Sequence, residues 1–188
     1  MPSLARRLVP AAATLTLLAL HAPQALAETP PQSPVPCLEK SALNTQMTPP
    51  QLYQSLASCA VADAWEPAIF LFALAGAYGR FDAARVTDTS AHQAVQVLPM
   101  MLFGGLPPEK SEALKAQLQS TLGNDATRGR YCSEVIAMGA PTYHPAYMIN
   151  HGMGAMMQPG KDVLAPSFNA AQTWPEVVKT YLQCPAAS

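Results

Sequence analysis

The chain has 188 residues, of which 12% are charged, with 19 prolines, four cysteines and a formal net charge of −1 at pH 7. It contains no basic run, which makes nucleic acid and anionic membrane poor partners. The length suits one domain with a sizeable core.

In chain order, residues 1–27 read as a secretory signal peptide. Arg6 and Arg7 precede an apolar run over residues 8–20, and Ala25-Leu26-Ala27 supplies a small-x-small cleavage pattern. The run is shorter than the roughly 20 residues that span a bilayer. No cysteine follows the cleavage site, so no lipid or membrane anchor is expected. Cleavage near Ala27 takes His21 with it and leaves a chain starting near Glu28, with nine basic against twelve acidic residues and a net charge near −3.

Cys37, Cys59, Cys132 and Cys184 remain. An even count in an oxidising compartment points to two disulfides, for which three pairings exist. The pairing Cys37–Cys59 with Cys132–Cys184 is favoured, because each bridge then ties a terminal segment to a helix. No CxxC spacing supports a cysteine metal site.

Residues 28–47 read as a proline-rich N-terminal segment tethered by Cys37, and residues 48–188 as a helical domain. "TPPQLYQSLASCAVAD" opens with Thr48 as a cap and prolines in the first turn. It places Leu52, Tyr53, Leu56, Cys59 and Ala60 on one face. "AWEPAIFLFALAGAYGRFD" is apolar nearly all round from residue 68 to residue 78, as in a helix buried on most sides. Ala68, Ala73, Ala75, Gly76 and Ala77 allow neighbours close, and Gly79 is expected to end the helix. "TDTSAHQAVQVLPMMLFGG" starts at a capping cluster and turns Ala91, Ala94, Val95, Leu98 and Leu102 inward. Pro99 is expected to kink or end it. "LPPEKSEALKAQLQSTLG" buries Leu114, Leu118 and Leu122 and stops at Gly123. "NDATRGRYCSEVIAMG" turns Tyr131, Cys132, Val135 and Met138 inward. "TWPEVVKTYLQC" repeats Trp174, Val177, Val178, Tyr181 and Leu182 at helical spacing. Strand signals are weak throughout. The expectation is an all-α, single compact domain of about six or seven helices, stapled by two disulfides.

Trp65, Ala68, Ala75, Tyr78 and Gly79 resemble a tetratricopeptide or Sel1-like unit. No second copy follows at a period of about 34 residues, so the stretch implies a helical hairpin and not a repeat array.

Three groups of residues are candidates for chemistry or binding. Asp82, Arg85, Asp88 and His92 form the densest polar group in an apolar neighbourhood. On a helix, Asp88 and His92 would be i, i+4 neighbours, so the carboxylate could orient the imidazole for acid–base work. The structural reading is preferred: Asp88 caps a helix, Arg85 bridges to Asp82 or Asp88 and clamps a corner, and His92 sits at the rim of the core. The second group lies in "PTYHPAYMINHGMGAMM", residues 141–157. Its histidines, His144 and His151, are seven residues apart, about 10 Å along a continuous helix and too far for one metal ion. A bend at Pro145 or Gly152 would allow a metal set of His92, His144 and His151, with Met148, Met153, Met156 and Met157 near enough to favour copper. The preferred reading is a short helix beginning at Pro145 with Tyr143, Tyr147, Met148 and Met156 inward, or a recognition surface made of Tyr143, His144, Tyr147, Met148, Asn150, His151 and Met153. The third group, nucleophiles, is empty: there is no GxSxG, SxxK, catalytic-cysteine or phosphate-loop pattern, and no cofactor is expected.

The stretches "FALAGAYGRFDAARVTDTSAHQA" and "YHPAYMINHGM", behind a cleavable signal and with four cysteines, resemble in type the periplasmic immunity proteins of antibacterial effectors delivered by type VI-like secretion. The resemblance carries over no site residue. It implies a periplasmic, non-enzymatic protein that binds its cognate effector toxin one to one and occludes the toxin's active site; a homodimer stays open. Tyrosine-rich anchors dominate binding energy at such interfaces, and a modest negative charge suits a basic toxin.

Overall fold

Pro49 and Pro50 lack the N–H groups that a first helical turn leaves unpaired, and they open α1 (Pro49–Val61). Gln51 Oε1 reaches back to accept from the Thr48 backbone N–H at 2.9 Å, half of a capping box. The computed structural model describes residues 35–160 and 163–186. The expected signal peptide and the first part of the proline-rich segment lie outside them. Among the described residues there are eight α-helices and no strand beyond a single bridge between Val86 and Leu164, so the fold is all-α.

A tight turn, with Asp63 in the left-handed region at φ 59°, returns the chain into α2 (Trp65–Arg85). Here the hairpin expectation is met, since α1 packs chiefly on α2. The all-round apolar pattern of α2 makes it the centre of the fold: α1, α3 (Ala94–Gly105), α4 (Pro108–Leu122), α5 (Asp125–Met138) and α8 (Ala170–Leu182) all pack on it. The small-residue surface works as the sequence predicts at Gly76, where an added Cβ would lie 2.1 Å from the Tyr181 hydroxyl of α8. Gly79 does not end the helix. α2 runs on to Arg85, because Phe81 and Asp82 beyond it are both buried and packing outweighs a local preference to stop. Pro99 does not end α3 either: it sits inside a continuous helix that a 3-10 turn (Thr89–Gln93) leads into directly.

α4 stops at Gly123, Asn124 caps α5 through the Ala126 and Thr127 N–H groups, and Asn169 caps α8 through that of Gln172. Two short helices, α6 (Ala146–Ile149) and α7 (Met153–Met157), occupy the 141–157 stretch. Tyr78, Phe81, Tyr143 and Trp174 stack edge-on or tilted at 5.3–6.2 Å between centroids, which joins α2, α8 and the loop before α6 in one core. A smaller core of Val86, Ala91, Ala94, Met148 and Ile149 lies under α6.

Both disulfides have the favoured pairing, Cys37–Cys59 and Cys132–Cys184. The first fixes the N-terminal segment on α1, where Leu38 N–H donates to Ser55 Oγ and Ser55 Oγ donates to the Pro36 carbonyl. The second ties the end of the chain to α5. With their cysteines 22 and 52 positions apart in sequence, each bridge restricts the unfolded chain by about 3–4 kcal/mol in the chain-entropy view. Replacing either pair by alanine is therefore expected to lower the melting temperature by about 10 °C, measured by calorimetry. An unchanged melt after reduction would show that the bridges add nothing to the folded state.

Candidate binding site

Asp82 lies on the last turn of α2 with no exposed surface. Four donors meet it. Arg85, three residues on and therefore on the same helix face, donates from Nε at 2.9 Å and Nη2 at 2.6 Å to Oδ1. The Tyr143 and Tyr147 hydroxyls each donate to Oδ2 at 2.8 Å. Arg85 Nη2 also donates to the Tyr143 carbonyl at 2.8 Å. Every contact is a donor, which fits an ionised carboxylate, an acceptor only. Burial pushes the Asp82 carboxyl up from the ordinary carboxylate range, while Arg85 and the two hydroxyls pull it back. Burial and the adjacent carboxylate push both tyrosines far above the usual phenol range, so they stay protonated and donating. The carboxylate itself is closed to solvent and all its hydrogen-bond partners are internal. Its geometry is that of an anchor holding residues 143–147 against α2.

A second anchor lies one turn of chain further on. The Asp88 carboxylate caps the 3-10 turn by accepting from Ser90 N–H at 3.0 Å, and it accepts from Gly154 N–H at 2.7 Å. Ser90 Oγ accepts from Met153 N–H at 2.7 Å. Gly152 and Gly154 let α7 come this close: a Cβ on either would lie 2.3 or 2.6 Å from Asp88 Oδ2. The Ser90 hydroxyl and the Gly154 N–H hold the Asp88 carboxyl below the usual range. His92 makes no hydrogen bond to Asp88. The two do not sit one turn apart on a regular helix, and His92 Nε2 meets the Val86 carbonyl at 2.8 Å instead. The i, i+4 orienting pair is thus replaced by two separate structural contacts.

The candidate recognition residues divide into two sets. Tyr143 and Met148 are buried, and Tyr147 is half-buried with its hydroxyl on Asp82, so these three hold the fold. His144, Asn150, His151 and Met153 face solvent. Met156, expected inward, is 76% exposed, because α7 turns its methionines away from the Asp88 anchor. The set His92, His144 and His151 is not brought together: among the described residues no group of three or more His, Cys, Asp or Glu side chains could hold a metal ion.

α3 presents a surface that the candidate recognition residues do not include. Its outward side carries Val97, Met100 and Met101, the two methionines 71% and 67% exposed. Ala94, Val97 and Leu98 of α3, with Pro50, Tyr147 and His151, line a furrow of about 370 Å³. A neighbouring depression of about 280 Å³ shares Pro50, Leu98 and Met101 and reaches α1, so the two form one apolar trough. A signal for it was present: residues 93–108 contain no charged side chain, nor do residues 135–160. The inward face of α3 and the turn leading into it is as the spacing predicts, with Ala91, Ala94 and Leu102 buried and Val95 and Leu98 half-buried. No protein-family model matches the chain, and neither a curated protein nor a solved structure is found similar to it.

Tyr147→Phe removes one donor from Asp82 and keeps the ring, and should cost about 1–2 kcal/mol in urea unfolding. Asp82→Ala strands Arg85 and both hydroxyls and should cost about 3–5 kcal/mol. Asp88, with its depressed carboxyl, contributes stability that is fully present above the unfolded value of about 4 and fades as pH falls through the lower folded value. The melting-temperature gap between the natural chain and Asp88→Asn should therefore be widest near neutrality and close below about pH 4; a gap that grows in acid would contradict the anchor.

Proposed function

We propose that this chain is an exported, periplasmic immunity-type protein. On this reading it binds a cognate effector toxin one to one and blocks the toxin's active site. The observation that carries the reading is the charge-free, methionine-bearing surface. Two long stretches without a charged residue supply its exposed side chains: Val97, Met100 and Met101 from α3, and His151 and Met153 from the 141–157 stretch. Interface cores are depleted of charge and enriched in methionine and aromatic rings, whereas an ordinary solvent-facing helix is neither. α4 and α5 of the same chain show that contrast, with Lys110, Lys115, Asp125 and Arg130 on their surfaces. Unbranched thioether side chains adapt to a partner's shape, and the trough gives an apolar anchor a place to seat.

Two disulfides support an oxidising compartment, and among the described residues no helix is long and apolar enough to cross a membrane. No catalytic constellation was found in the sequence, and the buried Asp82 carboxylate is fully occupied in holding the fold.

The test is co-purification of the tagged protein with the product of the adjacent gene, together with rescue from that product's periplasmic toxicity. A stable complex and rescue are expected. Val97→Asp with Met101→Asp should then weaken binding by at least about 2 kcal/mol, roughly 30-fold in Kd, with an unchanged melt. The absence of both complex and rescue would end the immunity reading.

A further inference from the structure

α7 carries Met153, Met156 and Met157 at i, i+3 and i+4, and the three side chains are 56%, 76% and 75% exposed. Residues so spaced are neighbours on one helix face, with about 5–6 Å between Cβ atoms. Methionine has three rotatable bonds beyond Cα, so three sulfurs rooted this way can converge on a single point above the helix. His151 lies two residues before Met153, exposed, and its imidazole makes no hydrogen bond or ion pair among the described residues. His92, by contrast, is occupied by the Val86 carbonyl.

The platform beneath is fixed. Met153 and Gly154 donate their backbone N–H groups to Ser90 and Asp88, and Gly152 and Gly154 seat directly on the Asp88 carboxylate. That carboxylate is engaged below the helix, facing away from the thioethers. Residues 135–160 contribute no charged side chain of their own. Within residues 151–157 the side chains able to ligate are therefore three neutral thioethers and one imidazole. Such a set is unsuited to Mg²⁺ or Ca²⁺, which take oxygen, and supplies none of the anionic thiolate or carboxylate that commonly accompanies histidine on Zn²⁺. Thioether sulfur selects Cu(I).

We propose that Met153, Met156, Met157 and His151 form a solvent-facing binding site for Cu(I). The site takes one ion per chain and does not depend on the effector-binding reading. It differs from a three-histidine centre in using one imidazole and drawing its selectivity from sulfur.

The test is anaerobic titration of the full chain with Cu(I) against bicinchoninate, whose copper complex reports competition by its colour. One Cu(I) per chain should be withdrawn from the chelator. The triple change Met153→Leu, Met156→Leu and Met157→Leu should abolish that withdrawal, and His151→Ala should weaken it. Leucine keeps the apolar surface, and all three positions are exposed, so circular dichroism melts should be unchanged. Ag(I), a redox-silent substitute, should shift the methyl resonances of Met153, Met156 and Met157 in spectra of methyl-labelled protein. Failure to compete, an unaltered titration in the triple variant, or shifts at Met100 and Met101 instead would each overturn the proposal. Rescue from the effector is scored separately on the double change Met156→Leu with Met157→Leu, which leaves Met153 in place: rescue kept with copper lost separates the two functions.

Discussion

The structure turns on one buried carboxylate. Asp82 sits without exposure at the end of the central helix, in surroundings otherwise apolar. An ion there loses its water, a loss of several kcal/mol, and an ion pair offsets it only with good geometry and a full set of hydrogen bonds. Arg85 provides the charge and two of the bonds, and Tyr143 and Tyr147 provide the others from more than sixty residues away. The need to satisfy Asp82 therefore dictates where residues 143–147 must lie. Once they lie there, Met148 and Ile149 drop into the smaller core with Val86, Ala91 and Ala94.

Asp88 extends the same logic to the next few residues in a more solvated setting. It does not bind a side chain of the incoming segment but receives a backbone N–H, and Gly152 and Gly154 leave the space for it. Two acidic residues six apart thus determine the path of a stretch with no regular secondary structure longer than five residues. This answers why so apolar a chain gathers tyrosines, glycines and methionines there. The tyrosines hold the first anchor, the glycines admit the second, and the methionines α7 carries are left facing solvent.

How much of this is legible in the sequence depends on the range of the interaction. The helix start at Thr48 rests on contacts within three residues and is in place, whereas α8 begins at Ala170, ahead of the Thr173 at which its sequence pattern opens. The buried faces of α1, α4 and α8 follow from periodicity, and the disulfide pairing from the segments each bridge tethers. The structural role of Asp82, Arg85 and Asp88 was also legible, because polar groups in an apolar neighbourhood must find partners. What those partners are was not. The bonds from Tyr143 and Tyr147 to Asp82 cross the chain, and spacing carries no trace of them. Gly79 and Pro99 misled for a related reason: both are local stop signals inside helices whose continuation is held by packing on the far side.

Tyr147 links the internal scaffold to the proposed binding surface. Its hydroxyl is held by Asp82, while its ring forms a wall of the furrow beside Ala94, Leu98 and His151. A surface built on flexible methionines alone would bind many apolar shapes weakly, since each side chain must be ordered on contact. A rigid aromatic wall, fixed from behind by a buried carboxylate, gives such a surface a defined floor. The methionines at the rim can then adapt without the trough collapsing. Asp82 thus bears on recognition although its own side chain touches no solvent: it removes from the binding step the cost of placing Tyr147, a cost already met in folding.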